Sequence, residues 1–412
     1  MRILIIGEGG RESALAAKLQ KDARITKMFF ANGNASTEKI GQNVNLSEIH
    51  ELRDFAIREK VDLTIVGPEA PLVAGLKDEF KKHDLKVFGP TKKVASLEGS
   101  KAFSKKFMQK YDIKTAKAMV FDSYNEAKAY VQDHEYPLVI KASGLAGGKG
   151  VVICDTVEEA EATIHDFMIR RLYGDAGIRL VIEEYLQGFE ASIIAFSNGE
   201  KLFPCIPVKD YKKAGNGDKG PNTGGMGSVA PSPEFTAEHF ADFEKNILEP
   251  TVTGLKAEGF GFKGIIFFGL MITKNGTYLL EYNMRFGDPE TQVLMALMEN
   301  NLLDVINDCM SNKEINLKFR DEKAVCLVMC SGGYPRNIEL GFEITGEERV
   351  KDSQLLYAGA TKKGDKIVSN GGRVLNIVAT GATFDDARKK VYEDASHVHF
   401  DYSFYREDIG KF

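Results

Sequence analysis

The sequence has no C-x-x-C pair, no apolar run of the roughly 18 residues a bilayer span needs, and no surplus of basic residues. Each absence closes off a class of function. Five cysteines stand at 154, 205, 309, 326 and 330, without the Cys/His spacing of a zinc site, and their odd number suits reduced, buried thiols. Against 59 Asp and Glu there are 54 Lys and Arg, a formal net charge of -5, so no basic stripe is available to follow nucleic-acid phosphates. Neither nucleic acid nor a membrane is expected as a partner. Met1-Arg2 runs straight into a strand-like segment, which reads as no targeting leader and a cytoplasmic location. The expected state is a monomer or weak homodimer.

What is present is a chain of 412 residues in which strands and helices alternate from the start. Arg2–Ile6, Lys27–Ala31, Asp62–Val66 and Lys86–Phe88 read as strands, the first followed by a helical pattern over Glu12–Gln20. This order predicts a doubly wound parallel sheet, whose ligands sit at the carboxyl ends of the strands. Those ends carry Gly9-Gly10-Arg11-Glu12, Gly33-Asn34 and Pro68-Glu69. Beyond a helix near Ser100–Lys110, strands are expected at Pro137–Lys141, Val151–Cys154 and Leu180–Glu184. The last stretch is again strand-rich.

Gly7-Glu8-Gly9-Gly10-Arg11-Glu12 opens like a dinucleotide fingerprint, but Glu12 replaces its third glycine. Phe30-Ala31-Asn32 stands where a ribose-binding acid belongs, which argues against NAD. The expectation is a turn whose amides face a phosphate at a helix start, with Arg11 adding charge.

The strongest local signal is Lys141-Ala142-Ser143-Gly144-Leu145-Ala146-Gly147-Gly148-Lys149-Gly150. Lys149 is followed by glycine and a strand rather than by Ser/Thr and a helix, so this is not a Walker A loop. It reads as a hairpin flap with amides free to close on a polyphosphate and with Lys141 and Lys149 as its charges. Glu183, Glu184 and Glu190 follow as candidates for ribose hydroxyls, unranked.

Gly264–Ile272 and Thr277–Asn283 read as a hairpin around Lys274-Asn275-Gly276, expected as a type I′ turn. Strand alternation would put Glu281, Asn283 and Arg285 on one face. Glu281 and Asn283 are hard oxygen donors of the kind Mg²⁺ takes beside phosphates, and Arg285 can grip an anion in two hydrogen bonds. A stiff acidic turn follows at Gly287, Asp288, Pro289 and Glu290. The Pro221–Gly227 loop, with Asn222, Thr223, Gly224 and Gly225, reads as a substrate clamp or oxyanion site built of free amides.

Taken in order, these stretches resemble the ATP-grasp ligases, and within them the phosphoribosylamine–glycine ligase family. The resemblance rests on Gly9–Glu12, Gly67–Leu72, Leu97–Lys101, Lys141–Val151, Gly220–Gly227, Glu281–Gln292 and Gly371–Val374. It implies an α/β and α+β multidomain chain. A doubly wound substrate domain would span residues 1–100, and the larger ATP-grasp subdomain residues 101–116 and 190–318. The flap subdomain would span 117–189, and a small β-rich domain 319–412. ATP with Mg²⁺ or Mn²⁺ would join glycine to 5-phosphoribosylamine through a glycyl phosphate, and the enzyme supplying the amine would be a transient partner.

Lys105, Lys141, Gly147, Gly148, Lys149, Gly150, Glu183, Glu184, Leu186 and Glu190 would hold ATP by this resemblance, and Glu281 and Asn283 the metal. Arg285, Lys141 and Lys149 would act in catalysis. Gly9, Gly10, Arg11, Glu12, Gly33, Asn34, Pro68, Glu69, Asp210, Asn222, Thr223, Gly224, Gly225, Arg285, Gly287 and Asp288 would surround the other substrates. Three places depart from the family pattern. Ser13 replaces a histidine, Ser143 an aspartate, and Lys209-Asp210-Tyr211-Lys212-Lys213 stands for Gln-Asp-His-Lys-Arg. A ligase of the same type with a different acid or amine is therefore the alternative. A nucleotide sensor without turnover would not require Glu281, Asn283, Arg285 and Lys149.

Overall fold

In the computed structural model, which describes residues 1–147 and 149–412, the first ninety residues form a five-stranded parallel sheet. Its order is Gln42–Val44, Lys27–Asn32, Arg2–Gly7, Leu63–Val66, Val87–Phe88. Ile3, Leu4, Ile5 and Ile6 are all buried, as expected when helices cover both faces of a parallel sheet. The strand Gln42–Val44 was not expected; it is a three-residue edge with two amides and no apolar run. The first helix begins at Gly10 rather than Glu12, because Gly9 in extended backbone ends the turn. Its residues are buried almost all round, because the helix also packs against Glu290–Leu297.

The middle of the chain forms two antiparallel sheets. One has the order Leu202–Pro204, Gly188–Asn198, Lys263–Thr273, Gly276–Asn283, over an aromatic core that includes Phe107, Phe243, Phe268 and Tyr282. The other has the order Ala118–Phe121, Leu180–Glu184, Leu138–Ala142, Val151–Cys154 and its own core around Phe121, Ile140, Ile164 and Phe167. The expected flap is the turn of its Leu138–Ala142/Val151–Cys154 hairpin.

The C-terminal sheet corrects the expected partition of the chain. Its order is Lys209–Asp210, Gly227–Ala230, Lys323–Cys330, Arg373–Gly381, Gln354–Tyr357. Two strands from mid-chain, placed by sequence in the 190–318 unit, thus hydrogen-bond into the last domain, with Ser228 opposite Cys326. Both are very short, so no period could assign them to a sheet.

The acidic hairpin differs from expectation in two ways. Positive φ occurs at Gly276 (+107°) but at neither Lys274 nor Asn275, so the turn is not type I′. Further along, Gly269 pairs with Glu281 but Leu270 with Leu279, so Leu280 is a β-bulge. The bulge resets the alternation: Leu279 and Tyr282 are buried, while Leu280 and Glu281 are both partly open. No helix among the described residues is long and apolar enough to cross a membrane.

Candidate active site

The flap sheet, the acidic hairpin and the ends of the two outer domains enclose a cleft with two chambers. One, of about 470 Å³, is lined by residues including Arg11, Glu69, Glu281, Asn283, Arg285 and Asp288. The other, of about 570 Å³, includes Lys149, Glu184, Leu186 and an apolar wall of Val139, Val152, Ile153 and Met271. Lys141, Val151, Glu183, Glu190, Asn222 and Leu280 line both, so Lys149 and Glu281 face one continuous cleft. Gly147 and Gly150 line the polar chamber; Gly148 lies outside the described residues.

At the junction, Glu183 is clasped between two lysines. Lys105 Nζ stands 3.1 Å from Glu183 Oε1, and Lys141 Nζ 2.7 Å from Oε2. All three are at least nine-tenths buried. Burial pushes the Glu183 carboxyl up, but Lys141 and Lys105 outweigh it and hold it below the usual carboxylate range. With each oxygen facing a lysine, Glu183 orders the two ammonium groups. Glu184 accepts the Lys117 backbone N–H at 2.8 Å, and Glu190 pairs with Lys212. All three acids line the apolar chamber. Lys105 also donates to Thr115 Oγ1 at 2.5 Å, and Thr115 donates to the Leu279 carbonyl of the acidic hairpin at 2.6 Å. Thr115 carried no sequence signal.

Arg285 is anchored in part by Glu98, which the sequence reading quoted but did not assign. Its Nη2 lies 3.2 Å from Glu98 Oε1, and Glu98 Oε2 accepts the Met284 N–H at 2.6 Å. Its Nε lies 3.5 Å from Glu69 Oε2, and its Nη1 donates to the Phe286 carbonyl at 3.1 Å. Asn283 Oδ1 accepts from Arg285 Nη2 at 3.3 Å. Glu281, by contrast, makes no hydrogen bond or ion pair among the described residues. Burial raises its carboxyl, but Lys101, Lys212, Lys141 and Arg285 outweigh that and hold it ionised. An uncommitted carboxylate two residues from an amide oxygen fits a hard divalent cation. No group of three His, Cys, Asp or Glu able to hold a metal occurs among the described residues, so phosphate and water oxygens would complete the shell.

The substrate-side expectations are partly corrected. At the first helix, Gly9 N donates to Glu12 Oε2 at 2.6 Å and Arg11 N to Asp288 Oδ2 at 3.3 Å. Carboxylates of the protein thus occupy amides expected to face a phosphate. Arg11 reaches Glu12 Oε1 at 2.6 Å and the Phe286 carbonyl at 3.0 Å. Gly10 is a packing glycine: a Cβ there would lie 2.2 Å from Asn376 Nδ2. Gly33 and Asn34 line a separate open cavity of about 510 Å³ with Asn43 and Thr361. Asn34 spends its side chain capping Ala35–Ile40 and donating to the carbonyls of Glu8 and Tyr357.

The 222–227 loop is not an oxyanion site. Thr223 N donates to the Lys212 carbonyl, Gly224 N to Tyr334 Oη, Gly225 N to Thr223 Oγ1 and Met226 N to the Tyr211 carbonyl. Asn222, Thr223 and Gly224 face the cleft, while Gly225 packs on Pro289. Arg373, from the C-terminal sheet, donates to the carbonyls of Gly224 and Asp288 at 2.6 Å each. It thereby ties the loop to the acidic turn. Pro68, Gly287 and Asp210 are not among the residues lining either chamber. Pro68 caps Glu69–Ala74, and the Gly287 carbonyl accepts the Thr291 hydroxyl. Asp210 Oδ1 is buried without a hydrogen-bond partner, and burial together with Glu290 pushes its carboxyl well above the usual range.

Of the three departures from the family pattern, Ser13 and Ser143 line neither chamber, whereas Lys213 of the third lines the apolar one. Ser13 Oγ donates to the Tyr357 carbonyl at 2.6 Å, across the domain boundary. Ser143 Oγ accepts the Ala102 N–H at 3.1 Å, at the start of the helix Lys101–Lys110. Tyr211 is buried, with Oη accepting from Gly410 N.

Comparison with known proteins agrees with this architecture. Family models described as phosphoribosylglycinamide synthetase N domain, ATP-grasp (A) domain and C domain match residues 1–98, 99–291 and 324–412. A protein from Clostridium acetobutylicum named phosphoribosylamine–glycine ligase is 48% identical, over 100% of both chains. One of the same name from Escherichia coli is 44% identical over 100% of this chain and 98% of its own. The crystal structure of the phosphoribosylamine–glycine ligase from Thermotoga maritima superposes with a TM-score of 0.87 at 35% identity, covering 99% of this chain and 100% of that one. The chain belongs to the phosphoribosylglycinamide synthetase family, in its full N, ATP-grasp and C arrangement.

Proposed function

We infer that this chain is an ATP-dependent phosphoribosylamine–glycine ligase. The observation that carries the reading is the single cleft in which Glu281, without a partner among the described residues, faces the Lys105–Glu183–Lys141 clasp and Arg285. A carboxylate is a poor electrophile. A glycine carboxylate oxygen attacks the γ-phosphorus of ATP, the β–γ bridging bond breaks, and ADP leaves. The amine nitrogen of 5-phosphoribosylamine then attacks the acyl carbon, the C–O bond to phosphate breaks, and the amine proton passes to solvent. Phosphoryl transfer of this kind needs positioning and charge neutralisation rather than an enzyme nucleophile.

The lysine clasp meets the polyphosphate, Arg285 the transferred group, and the apolar chamber the base, with Glu184 or Glu190 at the ribose. Mg²⁺, or Mn²⁺, held at Glu281 and Asn283 would neutralise phosphate charge. Arg11, Glu69, Asp288 and the Asn222–Gly224 segment form the wall facing glycine and the amine. The reading extends to a cytoplasmic monomer or weak homodimer that receives the amine by transient contact with the enzyme producing it. The test is ADP release with ATP, Mg²⁺, glycine and freshly made phosphoribosylamine. Dependence on all four is expected; release with another acid but not glycine defeats it. Glu281→Ala should cut turnover by about a thousandfold, and an unchanged rate at low Mg²⁺ removes Glu281 from the site.

A further inference from the structure

Seven cations line the polar chamber, and six of them are committed to acceptors within the protein. Lys105 and Lys141 share Glu183, Lys212 pairs with Glu190, Arg285 with Glu98, and Arg11 with Glu12, while Arg373 holds the carbonyls of Gly224 and Asp288. Lys101 is the exception: among the described residues its ammonium makes no hydrogen bond and no ion pair. The backbone around it is fixed. Lys101 N donates to the Ser143 carbonyl at 2.7 Å, Ala102 N to Ser143 Oγ and Phe103 N to Ser100 Oγ. The helix start therefore has these amides in use, and its side chain is what it presents to the cleft.

Lys101 shares the chamber wall with Glu281, whose charge it helps to hold, and with Glu98, Lys141 and Glu183. Burial pulls its ammonium below the usual lysine range even so. A partly desolvated ammonium without an acceptor is costly unless an anion arrives to complete it.

We propose that Lys101 is a catalytic residue, its ammonium donating to the oxygens of the phosphoryl group in transit between ATP and the substrate carboxylate. This rests on the ligase reading above for the identity of the acceptor, but not for the presence of a transferring phosphoryl. Charge neutralisation matters most where the phosphoryl is bound to neither end, so Lys101 should act on kcat more than on KM. The clasped lysines, Lys105 and Lys141, can order the ground-state polyphosphate, whereas Lys101 is available to bind an anion without first giving up a partner.

The experiment compares wild type, Lys101→Met and Lys101→Arg in turnover and in calorimetric binding of MgADP with and without aluminium fluoride, a planar mimic of the phosphoryl in transit. Lys101→Met is expected to lower kcat at least a hundredfold with KM for ATP within threefold. It should bind MgADP as wild type does and lose most of the gain that aluminium fluoride gives. Lys101→Arg should recover part of both. If wild type turns over but the Met variant keeps kcat, or keeps the fluoride gain, within threefold, the assignment is overturned. If wild type fails to use glycine and phosphoribosylamine while the variant still loses the fluoride gain, the ligase reading falls and Lys101 stands. Equal MgADP binding in all three proteins serves as the control for folding.

Discussion

Glu183 Oε2 accepts from Lys141 Nζ at 2.7 Å while its other oxygen faces Lys105 at 3.1 Å, so one buried carboxylate sets the spacing of two buried ammonium groups. Removing it leaves two desolvated cations side by side. Glu183→Ala should destabilise the protein by about 3 kcal/mol, the cost of breaking a buried pair from one side. It should also raise KM for ATP. Urea unfolding and initial rates measure both, and a variant as stable as wild type with unchanged KM would show that the lysines do not need the clasp.

Glu98 acts one step removed from the chemistry. It holds Arg285 and the Met284 amide with its two oxygens. Glu98→Ala should free the guanidinium and lower kcat by about 10²-fold, comparable to loss of one preorganised donor. KM for ATP should stay near wild type, because the lysines are untouched. Glu98→Gln, which keeps an acceptor for one of the two donors, should recover part of the rate. Full activity in the Ala variant would mean Arg285 needs no anchor.

The acidic turn gives a pH prediction. Burial pushes the Asp288 carboxyl up, but Arg373, Arg11 and Gln292 outweigh it, and the net value lies below the usual range. A carboxylate depressed on folding contributes stability above its unfolded pKa, roughly 3.9, and loses it as pH falls through the folded value. Wild type should therefore exceed Asp288→Asn in stability at pH 7, with the gap closing below about pH 4. A gap that stays constant from pH 7 to pH 3 would contradict the pairing.

All five cysteines are free and buried, and burial pushes the thiols of Cys309 and Cys330 up to about 12. The thiolate is the reactive form. A thiol reagent at pH 8 should label the native protein at well under one site, and all five after denaturation. Rapid labelling of the folded chain would place a cysteine at the surface.

Much of this was legible in the residues, for reasons that also mark where legibility stops. Arg2–Gly7 and Lys27–Asn32 are apolar runs ending at turn residues, so their strands could be read directly, and Lys141, Lys149, Glu281 and Arg285 stood in ordered motifs. The bulge at Leu280 could not be read, because the second strand alone does not reveal the slipped register of its partner. Nor could the state of the 222–227 amides. A glycine loop looks open in sequence, and only the folded chain brings Tyr334 and the Lys212 carbonyl to close it. The difference between Lys105 and Lys101, four residues apart on one helix, is likewise tertiary. Glu183 reaches one, and no acceptor among the described residues reaches the other.

The strand Gly227–Ala230 has one further consequence, for the order in which the molecule can be made. It pairs with Lys323–Cys330, about ninety residues downstream. During synthesis this strand leaves the ribosome several seconds before its neighbour exists, at roughly 5–20 residues per second. The nascent chain must carry an unmatched edge through that interval. The last domain therefore cannot be grafted onto another protein as a C-terminal cassette, because part of its sheet is encoded upstream of the point where the graft would be cut.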